Sequence, residues 1–170
     1  EGSLARIVAV QPRRNTLSRT IDDAGAFEKT IAANIDQMII VAASANPEPR
    51  HGFIDRCLAV AYDQGITPII VMTKSDLTDP THFLETYSEL DVLTFITQRG
   101  ADLTPISHQL ENKTSVLIGH SGVGKSTLVN ALLGNEHRAT GDVNDATGRG
   151  RHTSSSAISF ELPSGGTIID

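Results

Sequence analysis

The chain has 170 residues, one cysteine, no tryptophan and a formal net charge of −6, the size of one domain with a proper core and at most a small appendage. The lone cysteine excludes a disulfide framework and any multi-cysteine zinc site, and it points to a reducing compartment. No apolar run is long enough to span a membrane, residues 1–10 do not read as a secretory signal, and the acidic balance excludes a surface built uniformly to coat nucleic acid. The charge is uneven: residues 1–20 carry Arg6, Arg13, Arg14 and Arg19 against Glu1, a local +3, while the rest carries −9. That contrast suggests either a local anionic contact or arginines simply facing water.

Taken in order, residues 6–10 (R-I-V-A-V) give a short strand signal ended by Gln11-Pro12, residues 13–20 are polar and basic, and 22–29 read as a loop. Residues 1–33 are therefore expected to be the tail of a preceding module plus a connector, and 34–170 the main domain. Residues 38–43 (M-I-I-V-A-A) form a continuous apolar run, the mark of a strand covered on both faces. A helix is expected over 52–64 with Gly65 as its stop, and Cys57 lies on its apolar face, as a core cysteine rather than a nucleophile. Next come a buried strand at 67–72, a helix at 80–90, a strand at 91–96, a helix at 104–112 and a strand at 115–118. A last helix is expected over 127–133, stopped by Gly134. Residues 135–152 lack periodicity, and such a length inside a compact domain is usually functional or mobile. The chain closes with a strand at 156–162, a turn at 163–166 and a partner strand at 167–169. Strands alternating with helices predict an α/β fold on a mainly parallel sheet. The absence of an initial Met, and an end on an apolar strand, suggest that both termini are cut from something longer.

The strongest motif is 119–126, G-H-S-G-V-G-K-S, which satisfies G-x-x-x-x-G-K-[ST] between a buried strand and a helix. Glycines let the backbone wrap phosphate oxygens with its N–H groups, and the helix N-terminus adds positive potential. Gly119, His120, Ser121, Gly122, Val123, Gly124, Lys125, Ser126 and Thr127 are the candidate phosphate-binding residues. Lys125 is expected on the β- and γ-phosphates, and Ser126 on Mg²⁺.

A second motif, Thr73-Lys74-Ser75-Asp76, follows the 67–72 strand and matches [NT]-K-x-D. A carboxylate at Asp76 accepts from guanine N1–H and N2, a donor pair adenine lacks, with the Lys74 stem along the base and Thr73 bracing the loop. The carboxyl end of a buried strand is where open α/β sheets bind ligands. In common GTPases this element lies downstream of the phosphate loop; here Asp76 precedes Gly119. Either the match is noise or the domain is circularly permuted. Permutation demands that the switch loop and two hairpin-related strands come last, which is the order read above.

In this order, P-R-R-N-T-L-S-R at 12–19, N-I-D-Q-M-I-I-V-A at 34–42, T-K-S-D, G-H-S-G-V-G-K-S-T-L-V-N at 119–130 and G-R-G-R-H-T at 148–153 resemble the circularly permuted, ribosome small-subunit-dependent GTPases, the RsgA family. The resemblance implies a P-loop NTPase three-layer sandwich. It implies a cytoplasmic, monomeric protein, not bound to membrane, that hydrolyses GTP to GDP in late maturation of the small ribosomal subunit. Turnover is then stimulated by that subunit, with contact to 16S rRNA. It makes residues 1–33 the end of an N-terminal OB-fold and its linker, with 34–170 a GTPase domain ending at the first residue of D-T-P-G. Zinc is expected only in a C-terminal domain outside this chain, leaving Mg²⁺ as the metal here. It further implies that Thr153 is the switch threonine on Mg²⁺ and the γ-phosphate, and that Asp170 meets Mg²⁺ through water. His152 would orient the attacking water, and Arg149 and Arg151 would act on transition-state charge or on rRNA. One departure stands out: where the family reads S-A-K, residues 95–103 read F-I-T-Q-R-G-A-D-L, with Thr97 and Gln98 roughly in place of Ala and Lys. Two other readings stay open, a P-loop ATPase or kinase and a GTP-gated binding module with negligible hydrolysis.

Overall fold

The computed structural model describes residues 8–21, 27–134 and 157–170. Its centre is a six-stranded sheet in the order β5-β4-β3-β6-β8-β7. The strands are β3 (Gln37–Ala43), β4 (Thr67–Thr73), β5 (Leu93–Ile96), β6 (Thr114–Ile118), β7 (Ser159–Glu161) and β8 (Thr167–Ile169). Neighbours pair in parallel except β7 with β8. The sheet is thus mainly parallel, as the alternation of strands and helices predicts.

Side chains alternate across β3 between two cores. Met38, Ile40 and Ala42 join Ile54, Cys57, Leu58 and Ala61 of helix α1 (His51–Asp63). Ile39, Val41 and Ala43 join Ile106 of α3 (Thr104–Gln109) and Leu128, Val129 and Leu132 of α4 (Lys125–Leu132). Helices on both faces explain why β3 and β4 are unbroken apolar runs. The result is three layers. Burial pushes the Cys57 thiol up to about 11, consistent with a core residue. Among the described residues no helix is long and apolar enough to cross a membrane.

Several elements differ from expectation. Of the strand expected at 6–10, residues 6 and 7 lie outside the described residues and 8–10 form no strand; Val8 and Val10 are 89% and 87% exposed. Instead β1 (Thr16–Ile21) and β2 (Phe27–Ala33) pair as an antiparallel ribbon where a polar connector and loop are expected. Leu17 and Ala32, paired in register, join the α1 core, while Ile31 beside them is 38% exposed. The P-R-R-N run is structural in part. Asn15 brackets Ile35 through both its amide atoms, at 2.8 and 2.7 Å, and Arg14 forms an ion pair with Asp36 at 2.9 Å. The Thr114 N–H, with Arg14 adding to it against partial burial, holds the Asp36 carboxyl below its ordinary range.

The expected helix at 80–90 is one turn, α2 (Thr81–Leu84), followed by a 3-10 turn at Glu85–Tyr87. The tightening turns Tyr87 into the core, where its hydroxyl meets His51 Nδ1 at 3.0 Å and donates to Asp55 at 3.1 Å. Helix α3 stops at Gln109 rather than residue 112, and α4 starts at Lys125, two residues inside the phosphate motif. At the carboxyl end β7 is confined to Ser159–Glu161.

Candidate functional site

Chain order reverses at β3. From β3 the chain steps outward to β4 and β5, then returns to the other side of β3 at β6. The crevice at the carboxyl ends of β3 and β6 is the topological switch point, the usual ligand position in an open α/β sheet. Residues 119–124 leave β6 into this crevice.

Their backbone explains their sequence. Gly122 and Gly124 have φ of +80° and +95°, the left-handed region that favours glycine. A Cβ on Gly119 would lie 2.5 Å from the Val41 carbonyl oxygen. Gly119→Ala should therefore lose about 2–4 kcal/mol of stability by shifting the loop off β3. Thermal unfolding measures this, and an unchanged Tm would show that the loop has room. Lys125 and Ser126 open α4, whose first N–H groups have no partner within the helix. The Lys125 ammonium donates to the carbonyls of Gly119 (2.8 Å) and His120 (3.2 Å). Two of its three donors are so taken up, which leaves one directed elsewhere.

The second motif closes on the first. Thr73 ends β4, is buried, and its hydroxyl donates to the Val123 carbonyl at 2.5 Å, with the Ala42 carbonyl at 3.3 Å. Lys74, at φ +57°, donates from Nζ to the Asn46 carbonyl. Residues 74–77 form a turn closed by Leu77 N–H on the Lys74 carbonyl, 3.0 Å, which leaves Asp76 exposed. Residues 97–100 pack beside this turn. Thr97 is buried, and its N–H is taken up by the Met72 carbonyl at 2.8 Å. The Gln98 N–H has no hydrogen-bond partner among the described residues, so it and not Thr97 N–H can meet a ligand there.

The loop at 44–50 shows in the sequence only as the end of a strand. It forms a third wall of the crevice: Pro47, Glu48, Pro49 and Arg50 enclose, with Phe53, His120 and Ser121, a cavity of about 300 Å³. The Phe53 and His120 rings lie 4.3 Å apart. The two prolines of P-E-P are its sequence signal, since they disfavour a continuous strand or helix interior between β3 and α1.

Asp170 follows β8, which runs parallel to β6, so this carboxylate lies at the same end of the sheet as the phosphate motif. The Ser126 hydroxyl and the Asp170 carboxylate are hard oxygen donors of the kind Mg²⁺ takes. Among the described residues no group of three His, Cys, Asp or Glu could hold a metal alone. A cation held by this pair would complete its shell with water and ligand oxygens, so the residues fit Mg²⁺. His152 and Thr153, with Arg149 and Arg151, lie outside the described residues.

A sequence profile of the family described as RsgA GTPase matches residues 10–170. Proteins named small ribosomal subunit biogenesis GTPase RsgA are similar to this chain. The one from Hahella chejuensis is 41% identical, covering 96% of this chain and 49% of that protein. The one from Shewanella oneidensis is 42% identical, covering 96% and 48%. The chain thus spans about half the length of these relatives. The crystal structure of YjeQ from Thermotoga maritima matches 95% of this chain and 52% of its own, with a TM-score of 0.68 at 26% identity. That of YloQ, described as a circularly permuted GTPase, matches 97% and 58% with a TM-score of 0.62; at 22% identity this is a likeness of fold. The profile covers nearly the whole chain, with the base motif ahead of the phosphate motif, and the chain belongs to the RsgA GTPase family.

Proposed function

We propose that this chain binds GTP and GDP with Mg²⁺ and hydrolyses the β–γ anhydride of GTP. In the whole protein this step serves late maturation of the small ribosomal subunit, which stimulates it. The observation that carries the reading is the Thr73–Val123 hydrogen bond, which makes a turn bearing Asp76 and the phosphate loop one unit. An ATP-using reading leaves the Asp76 carboxylate without the adjacent N1–H and N2 donor pair that it is placed to accept from.

Phosphoryl transfer to water needs positioning and charge neutralisation more than covalent help. The free N–H groups at 122–126 cradle the phosphates, and the remaining Lys125 donor reaches the β- and γ-oxygens. Ser126, Thr153 and Asp170 are assigned to Mg²⁺, which when bound neutralises charge on those oxygens. His152 is assigned to orienting the attacking water. Residues 1–33 are read as the end of an OB-fold module and its linker. Contacts to 16S rRNA, and zinc, are assigned mainly to parts of the relatives' length outside this chain. The protein is read as a cytoplasmic monomer.

Displacement of a fluorescent GDP should give affinities for ADP and ATP at least about a hundredfold weaker than for GDP and GTP. In the full-length protein, small subunits should accelerate single-turnover GTP hydrolysis. His152→Ala should remove roughly 10²-fold or more of that stimulated rate while GTP affinity stays within about twofold. Equal ATP and GTP affinity would sink the guanine reading, and hydrolysis indifferent to subunits would leave a GTP-gated binding module.

A further inference from the structure

Guanine offers two kinds of edge. N1–H and N2 donate, and Asp76 answers them; O6 and N7 only accept, and the Asp76 carboxylate cannot serve them. A donor is therefore needed on the wall beside the 74–77 turn.

That wall is the 97–100 loop. Ser75 N–H donates to the Thr97 carbonyl at 3.2 Å, and Ser75 Oγ to Gln98 Oε1 at 3.3 Å. The side-chain bond decides which way the Gln98 amide faces. With Oε1 accepting from Ser75, the Nε2 amine keeps both its donors, which have no partner among the described residues. Thr97 contributes no backbone donor, because its N–H belongs to the ladder with Met72. Gln98 therefore offers donors on this wall from both its backbone N–H and its side-chain amine, and the Ser75 bond holds it against the 74–77 turn.

We propose that Gln98 is a second guanine-selectivity determinant, its side-chain amine donating to the O6/N7 edge, with Ser75 as the positioning residue that orients the amide. The inference rests on the guanine reading above and goes beyond it, since a backbone N–H alone would accept any side chain at this position. Adenine presents its N6 amine where guanine has O6, so donor would face donor. The Gln98 amide therefore rejects adenine independently of Asp76.

The test is displacement of fluorescent GDP from this chain by GDP, 6-thio-GDP, IDP and ADP. Replacing O6 with sulfur weakens only the acceptor that Gln98 reads, and IDP lacks only the N2 that Asp76 reads. Gln98→Ala should weaken GDP roughly three- to tenfold and bring the 6-thio-GDP to GDP ratio towards one, leaving the IDP to GDP ratio unchanged. Gln98→Glu should weaken GDP further, because a carboxylate repels O6, and Ser75→Ala should lie between the unmutated chain and Gln98→Ala. Gln98 is exposed, so these variants keep the fold. A 6-thio-GDP to GDP ratio in Gln98→Ala equal to that of the unmutated chain overturns the role of Gln98 while leaving guanine binding intact. If the unmutated chain binds ADP as tightly as GDP, the underlying reading fails and this one with it.

Discussion

Lys125→Ala should reduce affinity for guanine nucleotides by about a hundredfold or more and abolish hydrolysis, with little change in thermal stability. The side chain is half-buried, and among the described residues its polar contacts are the Gly119 and His120 carbonyls of its own loop. Those carbonyls reach water when the ammonium is removed, so the fold loses little. The ligand loses a charge-assisted hydrogen bond to phosphate, of about 3 kcal/mol, and that is a factor above one hundred. Lys125→Arg should rescue only weakly. A planar guanidinium is bulkier than an ammonium, and the loop is pinned against β3 where Gly119 has no room even for a methyl. Calorimetric titration with GDP, beside thermal unfolding of each variant, separates the two effects. Affinity retained within about fivefold would remove Lys125 from the phosphate contacts.

What could be read from the sequence follows from how each segment is buried. Strands β3 and β4 are covered on both faces, so Ile39, Ile40 and Val41, or Ile69, Ile70 and Val71, stand side by side and need no partner information to be recognised. The β1–β2 ribbon joins the α1 core through the register pair Leu17 and Ala32, set among the polar residues of T-L-S-R-T and F-E-K-T, so it reads as connector. The 3-10 turn at Glu85–Tyr87 escapes for another reason. It depends on Tyr87 reaching His51 and Asp55 across the fold, which no local pattern encodes.

The site divides in the same way. In the phosphate motif Gly122 and Gly124 are dictated by their own positive φ, and the motif's fixed spacing finds the rest. The base motif is legible as four letters, but its couplings are long-range. Thr73 reaches Val123, Lys74 reaches Asn46, and Ser75 reaches Gln98. The sequence places Thr97 and Gln98 at the right loop and cannot say which keeps a free N–H, because that depends on how far the β4–β5 ladder runs. The fold resolves this by taking up Thr97 at Met72.

Asp76→Asn should weaken GDP by about a hundredfold and leave the fold and the phosphate contacts in place. Asp76 is exposed in the 74–77 turn and makes no hydrogen bond within the described residues, so an isosteric amide disturbs nothing internal. Against guanine, however, the amide presents an acceptor to N1–H and an amine to the N2 amine. One charge-assisted bond weakens and the other becomes a donor–donor clash, together about 3 kcal/mol. Xanthine carries a carbonyl at position 2 where guanine carries the amine, so the same substitution should turn that clash into a hydrogen bond. XDP should therefore bind Asp76→Asn at least about tenfold more tightly than it binds the unmutated chain, while ADP gains nothing. Such a reciprocal exchange is what separates reading of the base by Asp76 from a general loosening of the turn, which would weaken every nucleotide alike. Titration of both proteins with GDP, XDP and ADP decides it. Loss of GDP affinity without a gain for XDP would remove Asp76 from contact with the base.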